Sequence, residues 1–260
     1  MSVRNVVKVM NFHSLIRVDK SKRLADKYKM MGDQLEEMMA AILNNRNFIL
    51  DKRLFLPDSS APKWNIYLGS DFGFCNNYNS QVTERLRDDK DAKKIIIGKK
   101  IAARSADNVI FSCNEKDLKD EYPKLKELIA DAIRNRKCSA INIVYNHYEN
   151  TTTIYPTRKQ IYPVRSMQQE GKVYTEDFVI EQDADEVLMD MVISYVNYEL
   201  MLAIVSGRAS ENVLRQNATT ESLKKIDELE EEKYKAHLRE KRNVEFGKVI
   251  DTFVKTKIYE

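Results

Sequence analysis

Proline and glycine are scarce in this sequence of 260 residues, which contains 5 prolines and 7 glycines. Turn-rich β architectures use both residues often, because proline and glycine supply the backbone conformations of tight turns. Charged residues, in contrast, make up 32% of the chain. This balance argues against a turn-rich β fold and favours long, solvated helices.

Cysteine and histidine are equally rare, with 3 of each. Cys75, Cys113 and Cys138 are odd in number and show no CxxC spacing, which argues against a disulfide framework and against a zinc site. The histidines lie far apart on separate predicted elements, without a carboxylate or cysteine at metal-ligand spacing. We therefore expect a reducing, cytosolic compartment and no bound metal or cofactor.

No single sign of charge dominates the chain. The 43 basic and 40 acidic residues leave a net charge of +3, so the protein lacks the strong positive field that attracts nucleic acid. A local basic bias in the first thirty or so residues fits a solvated helix face and an acidic partner equally well. The composition therefore predicts no nucleic-acid partner.

Glycine-rich phosphate loops and long apolar runs are also missing. Gly98-Lys99-Lys100 lacks the preceding glycine and the following Ser or Thr of a P-loop, and no GxGxxG follows the first predicted strand. By inspection, no stretch reaches the eighteen or so apolar residues of a membrane span, and the N-terminus shows no signal-peptide pattern. We expect neither nucleotide hydrolysis by this chain nor direct insertion into a membrane.

Two long segments at the ends of the chain have helical character. The segment from about Val3 to Asn45 contains no proline and predicts a helix of roughly 60 Å. Its recurring residues are Val6, Val9, Met10, His13, Leu15, Ile16, Leu24, Tyr28, Met31, Leu35, Met38, Met39 and Ile42. A second proline-free segment follows a potential aspartate cap near Asp183 and predicts on the order of 100 Å of helix.

The C-terminal segment changes character along its length. From Val187 to Val205 it is apolar on nearly all sides, as expected of a helix packed on a sheet, whereas from Glu211 to Asp251 the apolar residues narrow to a seam. The seam consists of Val213, Leu214, Ala218, Leu223, Ile226, Leu229, Ala236, Val244 and Ile250. A narrow seam is typical of a two-helix coiled coil, and the N-terminal helix is the expected antiparallel partner.

Between the two helical ends the hydrophobic period indicates a small α/β domain, entered through a turn-rich linker at Leu56–Lys63. The predicted elements are strand 64–69, helix 79–87, strand 92–97, strand 109–112, helix 122–136, strand 140–145, and two strands, 151–162 and 172–180, that reach out of the domain. The expected boundaries are 1–55 for the N-terminal coiled-coil helix, 64–165 for the α/β domain, 172–182 for a strand and linker, and 184–260 for the C-terminal helix.

The loop after the first predicted strand, Gly69 to Ser80, resembles the Ser-Asp-Arg-Gly-Leu-Cys-Gly-Gly-x-Asn signature of the gamma subunit of F-type ATP synthases. The matching residues are Ser70, Asp71, Cys75 and Asn79. Phe72 stands in place of the signature arginine, and Asn76-Asn77 stand in place of its glycines. The match is therefore to the loop as a whole, with local departures.

Further similarities to this family follow in the family's own order. They are Ser2-Val3-Arg4-Asn5 near the start, Ile143 to Tyr148 in a strand, and Ala209-Ser210-Glu211 and the helix motif Asn217-Ala218-Thr219 near the end. Together they span nearly the whole chain. The sequence is identified as a divergent member of the family.

The resemblance implies an α/β fold class: a long antiparallel coiled coil of the N- and C-terminal helices plus a small Rossmann-like α/β domain. It implies a rotor shaft that couples rotation of a membrane ion-driven c-ring to ATP synthesis or hydrolysis in a hexamer of alpha and beta subunits. The implied partners are the alpha and beta subunits, an epsilon-type subunit and the c-ring. The implied location is cytoplasmic, peripheral on the inner face of the membrane, with catalysis on the beta subunit.

The resemblance also suggests roles for particular residues. Arg239, Arg242 and Glu245 are expected on the shaft surface in polar contact with the catalytic ring, and a solvated helix surface is the alternative interpretation. Of the family's C-terminal Arg-Gln-x-x-Ile-Thr-x-Glu pattern this chain retains Glu245 alone. In the signature loop, Asp71 and Asn79 are expected to cap or brace the strand-to-helix turn.

Three other interpretations remain open at the level of sequence. A relative of the synthase shaft could serve a divergent ATPase motor with another output. A coiled-coil adaptor with an α/β head would have similar helices. A small α/β hydrolase or transferase would instead need a compact shape and a pocket with convergent acid-base groups.

Overall fold

A computed structural model describes residues 2–45, 50, 56–101, 107–164 and 180–258, the side chains of 253 and 255–258 excepted. In chain order the elements are α1 (Val3–Leu43), β1 (Lys63–Leu68), α2 (Tyr78–Asp88), β2 (Lys93–Ile97), β3 (Val109–Cys113), α3 (Leu118–Arg134), β4 (Ala140–Tyr148), β5 (Ile154–Tyr162) and α4 (Ala184–Ile258). The strand expected at 172–180 lies, apart from Ile180, outside the described residues.

Side-chain caps define where the two long helices begin. Ser2 caps α1, because its side-chain oxygen accepts a hydrogen bond from the backbone N–H of Asn5 at 3.3 Å. Asp183 does the same for α4, accepting from the N–H groups of Asp185 at 2.8 Å and Glu186 at 3.4 Å. The helices contain 41 and 75 residues, so α4 is about 110 Å long. The predicted long helices and the aspartate cap are confirmed.

The five strands form one sheet in the order β3-β2-β1-β4-β5. Strands β3, β2, β1 and β4 run parallel to one another. Strand β5 runs antiparallel to β4, with Tyr155 opposite His147. The expectation that this last strand reaches out of the domain was wrong. A tight turn, in which the N–H of Glu149 donates to the carbonyl oxygen of Thr153 at 3.2 Å, returns the chain directly onto β4.

Helices cover both faces of the sheet, which explains why β1 is buried along almost its whole length. On one face Val82 and Leu86 of α2 pack against Tyr67, Ile96 and Val144. On the other face the core combines α3, the first half of α4 and the C-terminal end of α1 with the sheet. Its fully buried members include Met39, Ile66, Ile95, Leu125, Ile129, Ile143, Leu188, Val196 and Leu200.

The helices α1 and α4 pair in antiparallel fashion, as predicted. Near one end Arg4 contacts Asp227, and near the other the rings of Tyr28 and Tyr198 lie 6.3 Å apart. The residues of α1 that turn inward alternate in steps of four and three, the spacing of a coiled-coil seam. They are Val7, Asn11, Ser14, Val18, Ser21, Ala25, Tyr28, Gly32, Leu35, Met39 and Ile42.

The apolar stripe expected along the first part of α1 does not face α4. Val6, Val9, Leu15 and Ile16 are exposed, and Phe12 is 61% exposed. The seam uses Asn11 and Ser14 at these levels and Ser21 and Gly32 further along the helix, while the large apolar side chains turn outward. The recurring apolar residues predicted the helix itself but not which of its faces α4 covers.

The expectation that the seam of α4 is paired as far as Asp251 was also wrong. Arg4, near the start of α1, forms ion pairs with Asp227 and Glu230 of α4. Beyond them, residues 231–258 extend past the start of α1 as a single helix, called here the overhang, of roughly 40 Å. Its predicted seam residues Val244 and Ile250 are exposed, because α1 is too short to reach them.

One described helix is long and apolar enough, by length and composition, to cross a membrane. The stretch Ala184–Thr252 of α4 contains an 18-residue window with a mean hydropathy of 1.5, and half of that window is buried inside the protein. This differs from the expectation from the sequence. A helix that packs against a sheet and a second helix needs apolar residues on nearly all sides, which gives it the same composition.

Candidate functional site: the paired helices and their joint with the sheet

The paired helices lie over the carboxyl ends of the parallel strands. The chain passes from β1 to β2 and β3 on one side and returns to β4 on the other, which makes the crevice between β1 and β4 a topological switch point. Ser210 of α4 donates to the carbonyl oxygen of Asn146 at 2.8 Å, and Ser206 accepts from the N–H of Tyr148 at 3.1 Å. Helix α4 therefore occupies the place where open α/β sheets usually bind small ligands.

Asp71 joins the loops that follow three strands. Its carboxylate accepts hydrogen bonds from the backbone N–H groups of Lys99 at 2.8 Å, Glu115 at 3.0 Å and Lys116 at 3.0 Å. These donors follow β2 and β3, while Asp71 itself follows β1. Burial works to raise the pKa of Asp71, but the three N–H donors hold it below the ordinary value. The ionised side chain of Asp71 therefore connects these three loops at the carboxyl ends of the strands.

The remaining signature residues, Ser70, Cys75 and Asn79, are joined to one another by hydrogen bonds next to Asp71. Asn79 accepts from the N–H of Ser70 and donates to the Ser70 hydroxyl, both at 2.9 Å, and donates to the sulfur of Cys75 at 3.5 Å. Cys75 is buried, and this burial raises the pKa of its thiol. The residue that caps α2 is Asn77, without a side-chain hydrogen bond, so Asp71 and Asn79 brace the turn and neither one caps the helix.

Two residues of the loop adopt left-handed backbone conformations, Phe74 with φ 60° and Asn76 with φ 47°. Asparagine tolerates this region better than most residues, which fits its position where the related signature has glycine. Phe74 is 68% exposed and Phe72 is also exposed, so the loop presents two aromatic rings to its surroundings. Both flank a groove that includes Val9 and His13 of α1.

A network of charged side chains lies where α4 crosses this loop. Glu211 and Arg215 form a buried ion pair one helical turn apart, and Arg215 also donates to the carbonyl oxygen of Gly73 at 3.4 Å. Arg208 donates through Nε to the carboxylate of Glu115 at 2.8 Å. Burial and the nearby carboxylate of Glu115 raise the pKa of Glu211 to about 7, against the opposing effect of Arg215 and Arg17.

A second polar cluster lies in the seam itself. The side-chain amide of Asn11 donates to the carbonyl oxygen of Gln216 at 3.1 Å and to the hydroxyls of Thr219 at 3.0 Å and Thr220 at 2.8 Å. Thr219 is thus the member of the Asn217-Ala218-Thr219 motif that faces α1. Asn217 is exposed, and Ala218 is partly buried.

The overhang carries the residues expected on the shaft surface. Arg239, Arg242 and Glu245 follow one another at intervals of three and are exposed, without a hydrogen bond or ion pair among the described residues. The same segment exposes large apolar side chains, Phe246 at 67% above all. The others are Tyr234, Val244, Val249, Ile250 and Val254.

Several functional candidates were not predicted from the sequence. Asn11 stands among apolar residues and breaks their pattern, which is the signal that could have placed it in a seam. The link between Arg208 and Glu115 joins residues 93 positions apart, and no local pattern indicates it.

Comparison with known proteins supports the family resemblance seen in the sequence. A family model described as ATP synthase matches residues 1–243. The ATP synthase gamma chain of Rickettsia felis is 25% identical over 245 residues, covering 88% of this chain and 84% of the relative. The ATP synthase gamma chain of a Sulfurovum species is 26% identical over 253 residues, covering 88% of this chain and 85% of the relative.

Two solved structures share the fold. The central stalk and c-ring structure of the Tetrahymena thermophila mitochondrial ATP synthase contains a chain with a TM-score of 0.58 and 15% identity, covering 84% of this chain and 99% of that one. A chain in the OSCP/F1/c-ring structure of the Euglena gracilis mitochondrial ATP synthase has a TM-score of 0.53 and 13% identity. The match covers 96% of this chain and 95% of that one. With the family match over residues 1–243, the paired helices and the signature loop, the chain belongs to the ATP synthase family as a divergent gamma chain.

Proposed function

We propose that this chain is the rotor shaft of an F-type ATP synthase, a subunit that transmits rotation and leaves catalysis to a surrounding ring of alpha and beta subunits. Its α/β domain engages an epsilon-type subunit and the c-ring of the membrane sector. The complex holds it at the membrane periphery, on the inner face. A coiled-coil adaptor has no comparable support, since the family match covers the helices and the domain together.

The overhang is the observation that carries this proposal. Helices without tertiary partners are marginal in water, and contiguous exposed apolar surface marks a site of interaction. The overhang is a helix of roughly 40 Å with Phe246, Val249 and Val254 exposed, and in the described part of the chain no second helix packs along it. The outer face of α1 adds Val6, Val9 and Phe12 just below it. Surrounding protein that encloses the tip of the shaft would bury both surfaces.

The asymmetry of the paired helices supplies the mechanism. A ring with three equivalent catalytic subunits contacts one shaft whose sides differ, so each subunit meets a different surface. A ligand or partner shifts a conformational equilibrium only by its differential affinity for the two states. Rotation of the shaft changes which subunit receives which surface, and thereby couples angle to nucleotide affinity in the ring.

Reconstitution with the alpha and beta subunits of the same complex tests the role. We expect the wild-type chain to stimulate ATP hydrolysis by the ring, and Phe246→Asp to reduce that stimulation at least fivefold by placing a charge in the enclosed tip. Leu56→Asp, at another exposed apolar residue away from the shaft tip, is the control and should keep full stimulation. A ring whose activity does not respond to the wild-type chain would refute the proposal.

Arg239, Arg242 and Glu245 are proposed to make polar contacts with the ring, because they are exposed on the overhang and have no partner among the described residues. Charge reversal of Arg239 and Arg242 should lower the stimulated ATPase rate. Reversal of Lys126, exposed on α3, serves as the control. Unchanged rate and coupling in the Arg239 and Arg242 variants would assign these residues to solvated helix surface.

A further inference from the structure

The α/β domain is held to α4 by two kinds of contact. Leu188, Val196 and Leu200 of α4 pack into the apolar core below the sheet. Apolar packing is strong but non-directional, so by itself it fixes the rotation of the domain about the helix poorly. Directional contacts occur where α4 crosses the carboxyl ends of the strands.

One continuous route of polar contacts leads from α4 to three strand ends. Arg208 of α4 donates to the side chain of Glu115 at 2.8 Å. The backbone N–H of Glu115 donates to Asp71 at 3.0 Å, and Asp71 also accepts from the N–H of Lys99 at 2.8 Å. Glu115 follows β3, Asp71 follows β1, and Lys99 follows β2. A single side chain of the helix is thus tied to the ends of three neighbouring strands.

Arg208 and Glu115 form one of two partly buried ion pairs between α4 and the α/β domain; the other, Lys159 with Glu199, joins α4 to the edge strand β5 alone. Other ion pairs of α4 differ from it. Those of Lys225 and Lys235 lie within the helix, one turn apart, and join nothing else. Arg134 and Asp190 do connect α3 with α4, but both are more than half exposed, where ion pairs contribute little. The side chain of Glu115 is only 18% exposed and that of Arg208 39%. A partly buried, charge-assisted hydrogen bond has both strength and a defined direction.

We infer that Arg208 and Glu115 are positioning residues that fix the rotational angle between α4 and the α/β domain. The inference rests on the proposed shaft function, in which torque that enters at the domain has to reach the helix pair through this joint. Asp71 distributes the restraint over β1, β2 and β3. Without the pair, the apolar core and the hydrogen bonds of Ser206 and Ser210 with β4 still hold the domain on the helix. Arg208 then no longer ties α4 to the ends of β1, β2 and β3, so the angle between helix and domain varies more.

The full-length free chain tests the positioning role directly. Bioorthogonal spin labels at Glu127 of α3 and Glu228 of α4, both exposed, report the distribution of distances between the domain and the helix. We expect Arg208→Gln and Glu115→Gln each to widen this distribution roughly 1.5-fold, because the directional contact is lost. The double variant R208E/E115R, which restores an ion pair, should return the width towards that of the wild type.

Arg134→Gln is the matched control, since it also removes an ion pair between α4 and the domain and should leave the width unchanged. Circular dichroism of each variant establishes that the chain is folded, and Glu115→Gln, which keeps the shape of the side chain, is the variant least disposed to misfold. Single variants with the wild-type width, or a double variant as wide as the singles, would overturn the inference.

The assembled complex tests the use of the joint separately. Arg208→Gln should keep the ATP-driven stimulation of the ring and broaden the angular fluctuations of a probe on the outer face of α3 about twofold, because the joint is more compliant. Unbroadened fluctuations would overturn the torque-transmitting role. Widened distances in the free chain together with an inert wild-type complex would reject the shaft function and leave the positioning role standing.

Discussion

At the scale of single residues, one buried carboxylate organises the joint. Asp71 accepts hydrogen bonds from three backbone N–H groups in the loops at the ends of the strands. Hydrogen bonds to a charged acceptor are about twice as strong as neutral ones. The physical role of the signature loop is therefore the connection of three loops through a single side chain.

Asp71→Asn should destabilise the chain by about 1.5–3 kcal/mol, since it removes charge from the acceptor of these hydrogen bonds. The pKa of Asp71 is lowered in the folded state, so its contribution is present at neutral pH and is lost as the pH falls through and below the ordinary aspartate range. Urea unfolding at pH 7 and at pH 3 measures both effects. Lost coupling in the assembled complex with unchanged stability would contradict this structural role.

Glu211 should give the opposite dependence on pH. Its pKa is raised to about 7, so between about 4.5 and 7 the folded state binds a proton that the unfolded state does not. The free energy of unfolding should therefore fall as the pH rises from about 4.5 to about 7 and level off above 7. Glu211→Gln should remove roughly 1–3 kcal/mol of the difference between pH 5.5 and pH 8. Equal pH profiles for wild type and variant in denaturant titrations would refute the assignment.

Two glycines in the long helices should respond differently to alanine. A Cβ at Gly32 would meet only Glu199 Oε1 at 3.8 Å, whereas at Gly207 it would lie 3.0 Å from the hydroxyl of Tyr78. Gly32→Ala should therefore stabilise the chain by about 0.5–1 kcal/mol through helix propensity. Gly207→Ala should gain less or destabilise. Thermal unfolding compares the pair, and a stabilising Gly207→Ala as large as Gly32→Ala would argue against the close approach at Tyr78.

At the scale of elements, the part of the helix pair near the start of α1 has polar residues in its seam and apolar residues on its outer surface. Asn11, Ser14 and Thr219 lie in or beside the seam, while Val9 and Phe12 point outward. A polar residue in a coiled-coil seam sets the register of the helices at some cost in stability. The exterior is left free to contact another protein.

Asn11→Ala should lower the free energy of unfolding by about 1–2 kcal/mol, because its amide makes hydrogen bonds with Gln216, Thr219 and Thr220. Val9→Ala, two positions away on the outer face, is the control and should change the stability of the free chain by less than about 0.5 kcal/mol. Denaturant titration of both variants provides the measurement. A larger loss for Val9 than for Asn11 would mean that the seam is assigned to the wrong face.

At the scale of the whole molecule, the unequal lengths of the helices determine the shape. Helix α4 has 75 residues and α1 has 41, and most of the difference becomes the overhang at one end of the pair. A domain of this size could not enclose a helix of about 110 Å. The extended form is therefore a property of the free chain.

Small-angle scattering measures this shape. A compact globule of 260 residues has a radius of gyration of roughly 18 Å, whereas a molecule dominated by a helix of about 110 Å should give close to 30 Å. Truncation after Glu230 should reduce the value markedly, because it removes the overhang. A wild-type value near 18 Å would mean that the overhang folds back onto the domain.

Much of the fold follows from local patterns. The long helices, the strands after residue 63 and the cap at Asp183 were predicted because propensity, periodicity and capping act over a few residues. The orientation of α1 was not, since Val9 and Phe12 look like core positions and Ser14 and Ser21 do not. Local apolar content does not reveal which stripe a partner helix covers.

The candidate site divides in the same way. By itself the sequence determined a pair of long helices around a small α/β domain, and the signature loop with Ser70, Asp71, Cys75 and Asn79, because these are contiguous patterns. Only the tertiary structure brought Arg208 to Glu115 and placed the overhang beyond the start of α1. Contacts between residues far apart in the chain depend on how the elements pack, and no short segment of the sequence determines that packing.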